Sequence, residues 1–119
     1  MKTLTAYFSR RGMNYASGKM VELKVGNTER AAKMASELAG GALFEIRTVH
    51  EYPYDYRECV EVSKEELTSG ARPELAVEPG DLSGVEAVIL CYPCWCGTMP
   101  MPVWTFLESC DLAGKRILP

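Results

Sequence analysis

Val85-Glu86-Ala87-Val88-Ile89-Leu90-Cys91 is the stretch on which the reading of this chain turns. Only Glu86 interrupts its apolar run. A strand with one wet face alternates apolar and polar residues, whereas a central parallel strand is covered on both faces and needs an almost unbroken run. The residues that follow are Tyr92-Pro93-Cys94-Trp95-Cys96-Gly97-Thr98-Met99. Pro100 and Pro102 then suit the first turn of a helix running to about Ser109, where a missing N–H costs nothing. Lys115 to Leu118 begins a further strand.

The same alternation appears toward the N-terminus. Thr3 to Phe8 mixes β-branched, aromatic and aliphatic residues and reads as a buried strand ending at Ser9-Arg10-Arg11-Gly12. The polar stretch from Ser9 to Gly26 is too long for an ordinary strand-to-helix loop. Its Met13 to Val25 portion reads either as an ordered β-excursion or as a mobile lid. Asn27 or Thr28 can cap a helix to about Ala39 whose Ala31, Ala32, Met34, Ala35 and Leu38 form an apolar stripe, and Gly40-Gly41 stops it. Ala42 to Arg47 reads as a second strand. Asp55 and Glu58 make a capping box for a second helix with Tyr56, Cys59, Val60, Ser63 and Leu67 on its core face. Gly70 to Asp81, rich in proline and glycine, is an extended connection. Strands alternating with helices give an α/β fold with a parallel sheet covered on both faces, one domain over residues 1–119.

Composition narrows the function. At 119 residues, with 47% hydrophobic and 24% charged residues, the chain builds one core and is neither disordered nor fibrous. No apolar run approaches the ~20 residues of a membrane span. The first residues carry too short an apolar stretch for a signal peptide, so a cytoplasmic protein is expected. Thirteen Lys and Arg against sixteen Asp and Glu leave a net charge of −3. Apart from Arg10-Arg11 there is no basic cluster, which argues against nucleic-acid binding. The five cysteines, three of them between Cys91 and Cys96, are expected as reduced thiols.

In an open α/β sheet, ligands bind beyond the carboxyl ends of the strands. Ser9 to Thr28, Thr48 to Tyr54 and Tyr92 to Met99 occupy those ends. The first joins a strand end to a helix N-terminus, where free N–H groups and the helix dipole favour an anion. Ser9, Asn27 and Thr28 add donors, and Arg10 adds a charge. Plain helix capping by Asn27 or Thr28 is the competing reading. The third stretch offers an indole, thiols and a glycine against which a flat ring system could lie, unless Trp95 simply caps the core. His50 reads as a solvated loop residue, and Tyr52 and Tyr54 as packing locally. Cys91, Cys94 and Cys96, with Cys110, have a spacing conceivable for a thiolate metal site. Cys91 ends an apolar strand, which favours a small buried apolar residue instead, so no metal is expected.

Thr3-Leu4-Thr5-Ala6-Tyr7-Phe8-Ser9-Arg10 with the later Gly26-Asn27-Thr28 resembles the split phosphate loop of flavodoxin-like proteins. The similarity is to a bacterial flavodoxin subgroup with an insertion in that loop. Ala71 to Leu75, Gly97 to Met101 and Thr105 to Glu108 resemble it too, so the likeness spans essentially the whole chain. It implies a flavodoxin-like three-layer sandwich that binds FMN. On this resemblance Ser9, Arg10, Asn27 and Thr28 hold the phosphate, and Pro93, Cys94, Trp95, Cys96 and Gly97 border the isoalloxazine ring. The subgroup usually has a second aromatic where Cys96 stands and an aliphatic where Cys94 stands. Flavodoxin-like chains also continue past a fourth strand, so the expected fold lacks the usual last strand and helices. A homodimer is expected to cover the exposed sheet edge.

The function so implied is electron transfer through FMN to redox partner proteins or small electron acceptors, with no nucleophile needed. One alternative is an FMN-dependent NAD(P)H:quinone-type reductase, although no Gly-x-Gly-x-x-Gly fingerprint is present. The other is a cofactor-free binding module of the same fold.

Overall fold

The computed structural model describes residues 2–10, 12–16, 19–23, 25–95 and 97–119. In chain order its elements are β1 (Thr3–Tyr7), β2 (Gly12–Ala16), β3 (Lys19–Leu23), α1 (Asn27–Ala39), β4 (Ala42–Glu45), α2 (Tyr56–Ser69), β5 (Ala87–Cys91), α3 (Met101–Ser109) and β6 (Arg116–Leu118). One sheet has the order β4-β1-β5-β6 with every pair parallel. β1 is buried along its whole length because it and β5 are its inner strands.

Register decides which residues share a face. Leu4 lies beside Val88 and Ala6 beside Leu90, and these four join Val103 and Phe106 of α3 in the core. Val88, Val103 and Phe106 are fully buried, each worth roughly 1.5–3 kcal/mol against exposure. The alternate residues Thr3, Thr5 and Tyr7 face the other way, toward α1. Right-handed crossovers require this division. The β1-to-β4 step and the β4-to-β5 step run in opposite directions, so α1 covers one face while α2 and α3 cover the other. The result is the expected three-layer α/β sandwich.

The segment between β1 and α1 is a β-excursion: β2 and β3 pair antiparallel from Gly12↔Leu23 to Ala16↔Lys19, as a sheet of their own. Asp55 caps α2 as the sequence indicates, its carboxylate accepting from the Glu58 N–H at 3.1 Å. Cys59 and Ser63 are buried on the inner face of α2, but Leu67 at its far end is exposed.

α1 departs from expectation twice. Its N-cap is Gly26, so Asn27 and Thr28 are its first helical residues and neither caps it. The helix also buries only part of its apolar stripe. Ala32 is fully buried, while Met34 is 59% and Leu38 91% exposed. At 100° per residue those two sit about 200° and 240° around the helix from Ala32, off the face that meets the sheet. The close approach of α1 to β1 is made by alanine, which leaves the larger side chains outside.

Candidate functional site

The strand order reverses between β1 and β5, and a crevice opens where the chain leaves both strands. The ladders run past the strand ends: Phe8 N–H donates to the Cys91 carbonyl at 3.0 Å, and Ile46 N–H to the Tyr7 carbonyl at 2.7 Å. The segments starting at Phe8, Ile46 and Tyr92 therefore leave the sheet at one rim.

At that rim Ser9 meets the start of α1. Its Oγ accepts from the Glu29 N–H at 3.1 Å, serving as the cap that Gly26 cannot provide. A Cβ on Gly26 would lie 2.1 Å from Ser9 Oγ and 2.8 Å from the Arg10 carbonyl oxygen, so only glycine permits this approach. The N–H groups of Asn27 and Thr28 are the first of the helix and have no intrahelical acceptor by geometry. With Ser9 Oγ they form a donor-rich cradle at the positive end of the α1 dipole, which fits an anion such as a phosphate. Buried Glu29 pairs with Lys33 at 3.0 Å one turn along.

Beside the cradle lies a cleft of about 470 Å3. Phe8, Ser9 and Arg10 line it from the end of β1; Glu45 to Thr48 and Glu51 to Tyr54 from the end of β4; Trp95 from the end of β5; and Glu22 from the hairpin. Its volume is in the range of small-molecule sites. Three carboxylates, Glu22, Glu45 and Glu51, share the lining with Arg10 and Arg47. Phe8, Tyr52 and Trp95 pack edge to face, with centroids 5.2 Å apart for Phe8–Trp95 and Tyr52–Trp95 and 5.9 Å for Phe8–Tyr52. Trp95 thus packs on the core and also walls the cleft. Tyr52 packs locally, as its sequence position suggested, yet lines the cleft as well.

The Tyr52 hydroxyl donates to Glu66 Oε1 at 2.5 Å. Burial, then the Glu66 hydrogen bond and charge, push the Tyr52 phenol far above its usual range. Burial raises the Glu66 carboxyl, against the Tyr52 hydrogen bond, which lowers it. Beyond this pair lies a second cleft of about 260 Å3 between the 48–52 loop, α2 and residues 71–74, with exposed His50 at its edge.

The site residues read from sequence divide into groups. Ser9, Asn27 and Thr28 come together at the cradle. Arg10 is half-buried and its Nη2 is already engaged, donating to the carbonyls of Pro53 at 2.9 Å and Tyr54 at 2.7 Å. In the loop after β5, Trp95 and Thr98 exchange N–H···O bonds of 2.8 and 3.1 Å around a tight turn, with Gly97 at φ +83°. Trp95 is the described residue of that loop that lines the larger cleft; Pro93 is half-buried, and Cys94 and Gly97 are exposed on the rim. Cys96 lies outside the described residues. Sequence reasoning marked the 48–54 stretch as a strand end but not the part played by Glu45, Glu51 or Tyr52. The signal available was their place after β4.

Cys59, Cys91, Cys94 and Cys110 are free thiols. Burial pushes Cys59 up although Arg10 pulls it down, and burial raises Cys91. These are shielded thiols, not activated ones. Among the described residues no three His, Cys, Asp or Glu side chains stand together as a metal site. Nor is any described helix long and apolar enough to cross a membrane.

A structure from Bacteroides uniformis, a candidate flavoprotein, superposes with a TM-score of 0.76 and 32% identity, over 98% of this chain and 68% of its own. A second candidate flavoprotein, from Bacteroides eggerthii, gives 0.76 and 26%, over 98% and 67%. A flavoprotein from Lactobacillus acidophilus, solved in complex with FMN, shares the fold at 0.69 and 18% identity, over 91% and 65%. No curated protein matches. The flavodoxin family model covers residues 2–119, and with this match, the sheet order and the cradle at the start of α1, the chain belongs to the flavodoxin family.

Proposed function

We propose that this chain binds FMN across the carboxyl ends of β1, β4 and β5 and works as an electron carrier. The observation that carries the reading is the glycine-only contact of Gly26 with Ser9, which turns the start of α1 into an anion cradle beside an aromatic-walled cleft. Ser9 Oγ and the N–H groups of Asn27 and Thr28 would hold the phosphate. Trp95, with Pro93, Cys94, Cys96 and Gly97 around it, would border the ring system. When bound, FMN supplies one- and two-electron chemistry, and the protein supplies position and electrostatics. Glu22, Glu45 and Glu51 disfavour further negative charge in the cleft, which suits a carrier of low potential. The shielded thiols take no part. Redox proteins or small acceptors would receive the electrons, and the cytoplasm, which keeps such thiols reduced, is the fitting compartment.

The test is an absorption spectrum of the purified chain after loading with FMN and desalting, followed by dithionite titration. A retained flavin that is reduced and then passes its electrons only to an added acceptor is the expected result. A colourless protein after desalting would overturn the reading. Oxidation of NADH or NADPH by the loaded protein alone would replace the carrier with the reductase.

A further inference from the structure

The geometry points to Arg10 as a positioning residue that clamps the 51–55 loop into the wall of the cleft, rather than as a ligand of the phosphate. This rests on the FMN reading above. Nη2 donates to two main-chain carbonyls of one segment, Pro53 and Tyr54, more than forty residues away in sequence. The guanidinium carbon lies 6.0 Å from the Tyr56 ring centroid, and its charge pulls down the Cys59 thiol in the first turn of α2. Arg10 thus grips the end of the β4–α2 loop and the start of α2 together. Tyr52 sits one residue before the gripped carbonyls, and its ring is the piece of the loop that touches Trp95 and Phe8. Charge-assisted bonds to carbonyls are among the stronger neutral-to-charged contacts, and a planar guanidinium presents both hydrogens of one nitrogen in fixed directions. A residue so engaged sets where Tyr52 stands.

The two roles differ in what they predict for riboflavin, which lacks the phosphate. For the clamp, Arg10→Met weakens FMN and riboflavin together, about tenfold or more each, with the ratio of their Kd values kept within about twofold. For a phosphate ligand, FMN alone weakens and riboflavin does not change; that result overturns the proposal.

Two readouts are taken on flavin-free protein. Chymotryptic cleavage after exposed Tyr54, whose carbonyl Arg10 holds, should speed up in the variant; the Tyr52–Pro53 bond resists the enzyme and serves as an internal blank. The near-ultraviolet dichroism of the coupled Tyr52 and Trp95 rings should fall while the far-ultraviolet helix signal holds. A merely structural role would move both signals or neither, and either pattern counts against the clamp. Arg10→Lys keeps charge and stem and guards against a variant that does not fold. It should cleave at an intermediate rate with the FMN-to-riboflavin ratio again unchanged, and an FMN-selective loss in it also overturns the proposal. If wild type retains neither flavin, the FMN reading fails on its own, while cleavage and dichroism still decide the clamp.

Discussion

Gly26→Ala is the sharpest test of the cradle. Gly26 has φ −66° and ψ 155°, a conformation alanine adopts freely, so backbone strain does not enter. What enters is space. The new Cβ would lie 2.1 Å from Ser9 Oγ, so the hydroxyl must swing away and give up its bond to the Glu29 N–H. That is the loss of a helix cap, about 1 kcal/mol. The Arg10 carbonyl oxygen at 2.8 Å is main chain and must retreat by several tenths of an ångström, an overpacking cost of about 1–2 kcal/mol. Removing a glycine from the unfolded chain returns about 0.4–1 kcal/mol. The net is a destabilisation of about 2 kcal/mol, read by urea denaturation of wild type and variant. Ser9→Ala alone should cost about 1 kcal/mol. In the double variant part of the clash is gone and the cap is lost only once, so the sum falls short of additive by about 1 kcal/mol. A neutral or stabilising Gly26→Ala, or strict additivity with Ser9→Ala, would refute the close approach and the anion site built on it.

Thr5 is fully buried and its Oγ1 has no hydrogen-bond partner among the described residues, so Thr5→Val, which keeps the shape, should stabilise the chain by about 1 kcal/mol in the same denaturation assay. Tyr52→Phe should cost about 1–2 kcal/mol at neutral pH by leaving Glu66 without its donor. Burial raises the Glu66 carboxyl, so stability is lost as pH rises through its folded value; without the Tyr52 bond, which lowers that value, the variant loses more, and its deficit should widen from acid to neutral pH. Gly97→Ala places a side chain at φ +83° in the Trp95–Thr98 turn and should cost about 1–2 kcal/mol, with a weaker hold on FMN in a desalting assay.

How much of this the sequence discloses depends on whether the cause is local. The apolar run ending at Cys91, the Asp55 cap and the Pro100–Pro102 helix start are local, and the structure has them where the residues place them. The cap of α1 is not local. Ser9 supplies it from another element, twenty residues upstream of the amide it binds, so reading Asn27 or Thr28 as the cap chose the nearest donor instead of the one that folding brings in. The stripe on α1 fails for a related reason. Periodicity groups Ala32 with Met34 and Leu38, but the sheet accepts only the edge of that stripe that lets two backbones approach, and Ala32 stands there. Arg10 shows the same limit at the site. Its position after a strand announces an anion ligand, while its partners, the carbonyls of Pro53 and Tyr54, carry no side-chain signature that a sequence can display.

The hairpin explains how Ser9 and Gly26 can act as one loop although the chain runs far between them. Antiparallel pairing closes at the base with Gly12 beside Leu23, and paired strands lie about 5 Å apart. The chain therefore leaves after Arg10 and returns before Gly26 at nearly the same point, and the excursion adds length without separating its ends. That closure makes the Gly26–Ser9 contact possible. It also brings Glu22 of β3 to the cleft, where its hydrogen bond to Tyr54 raises that phenol. Tyr54 thus meets both ends of the excursion, its carbonyl accepting from Arg10 and its phenol raised by Glu22. The insertion leaves the cradle at the start of α1 intact and brings a carboxylate to the cleft beside the loop that carries Tyr52.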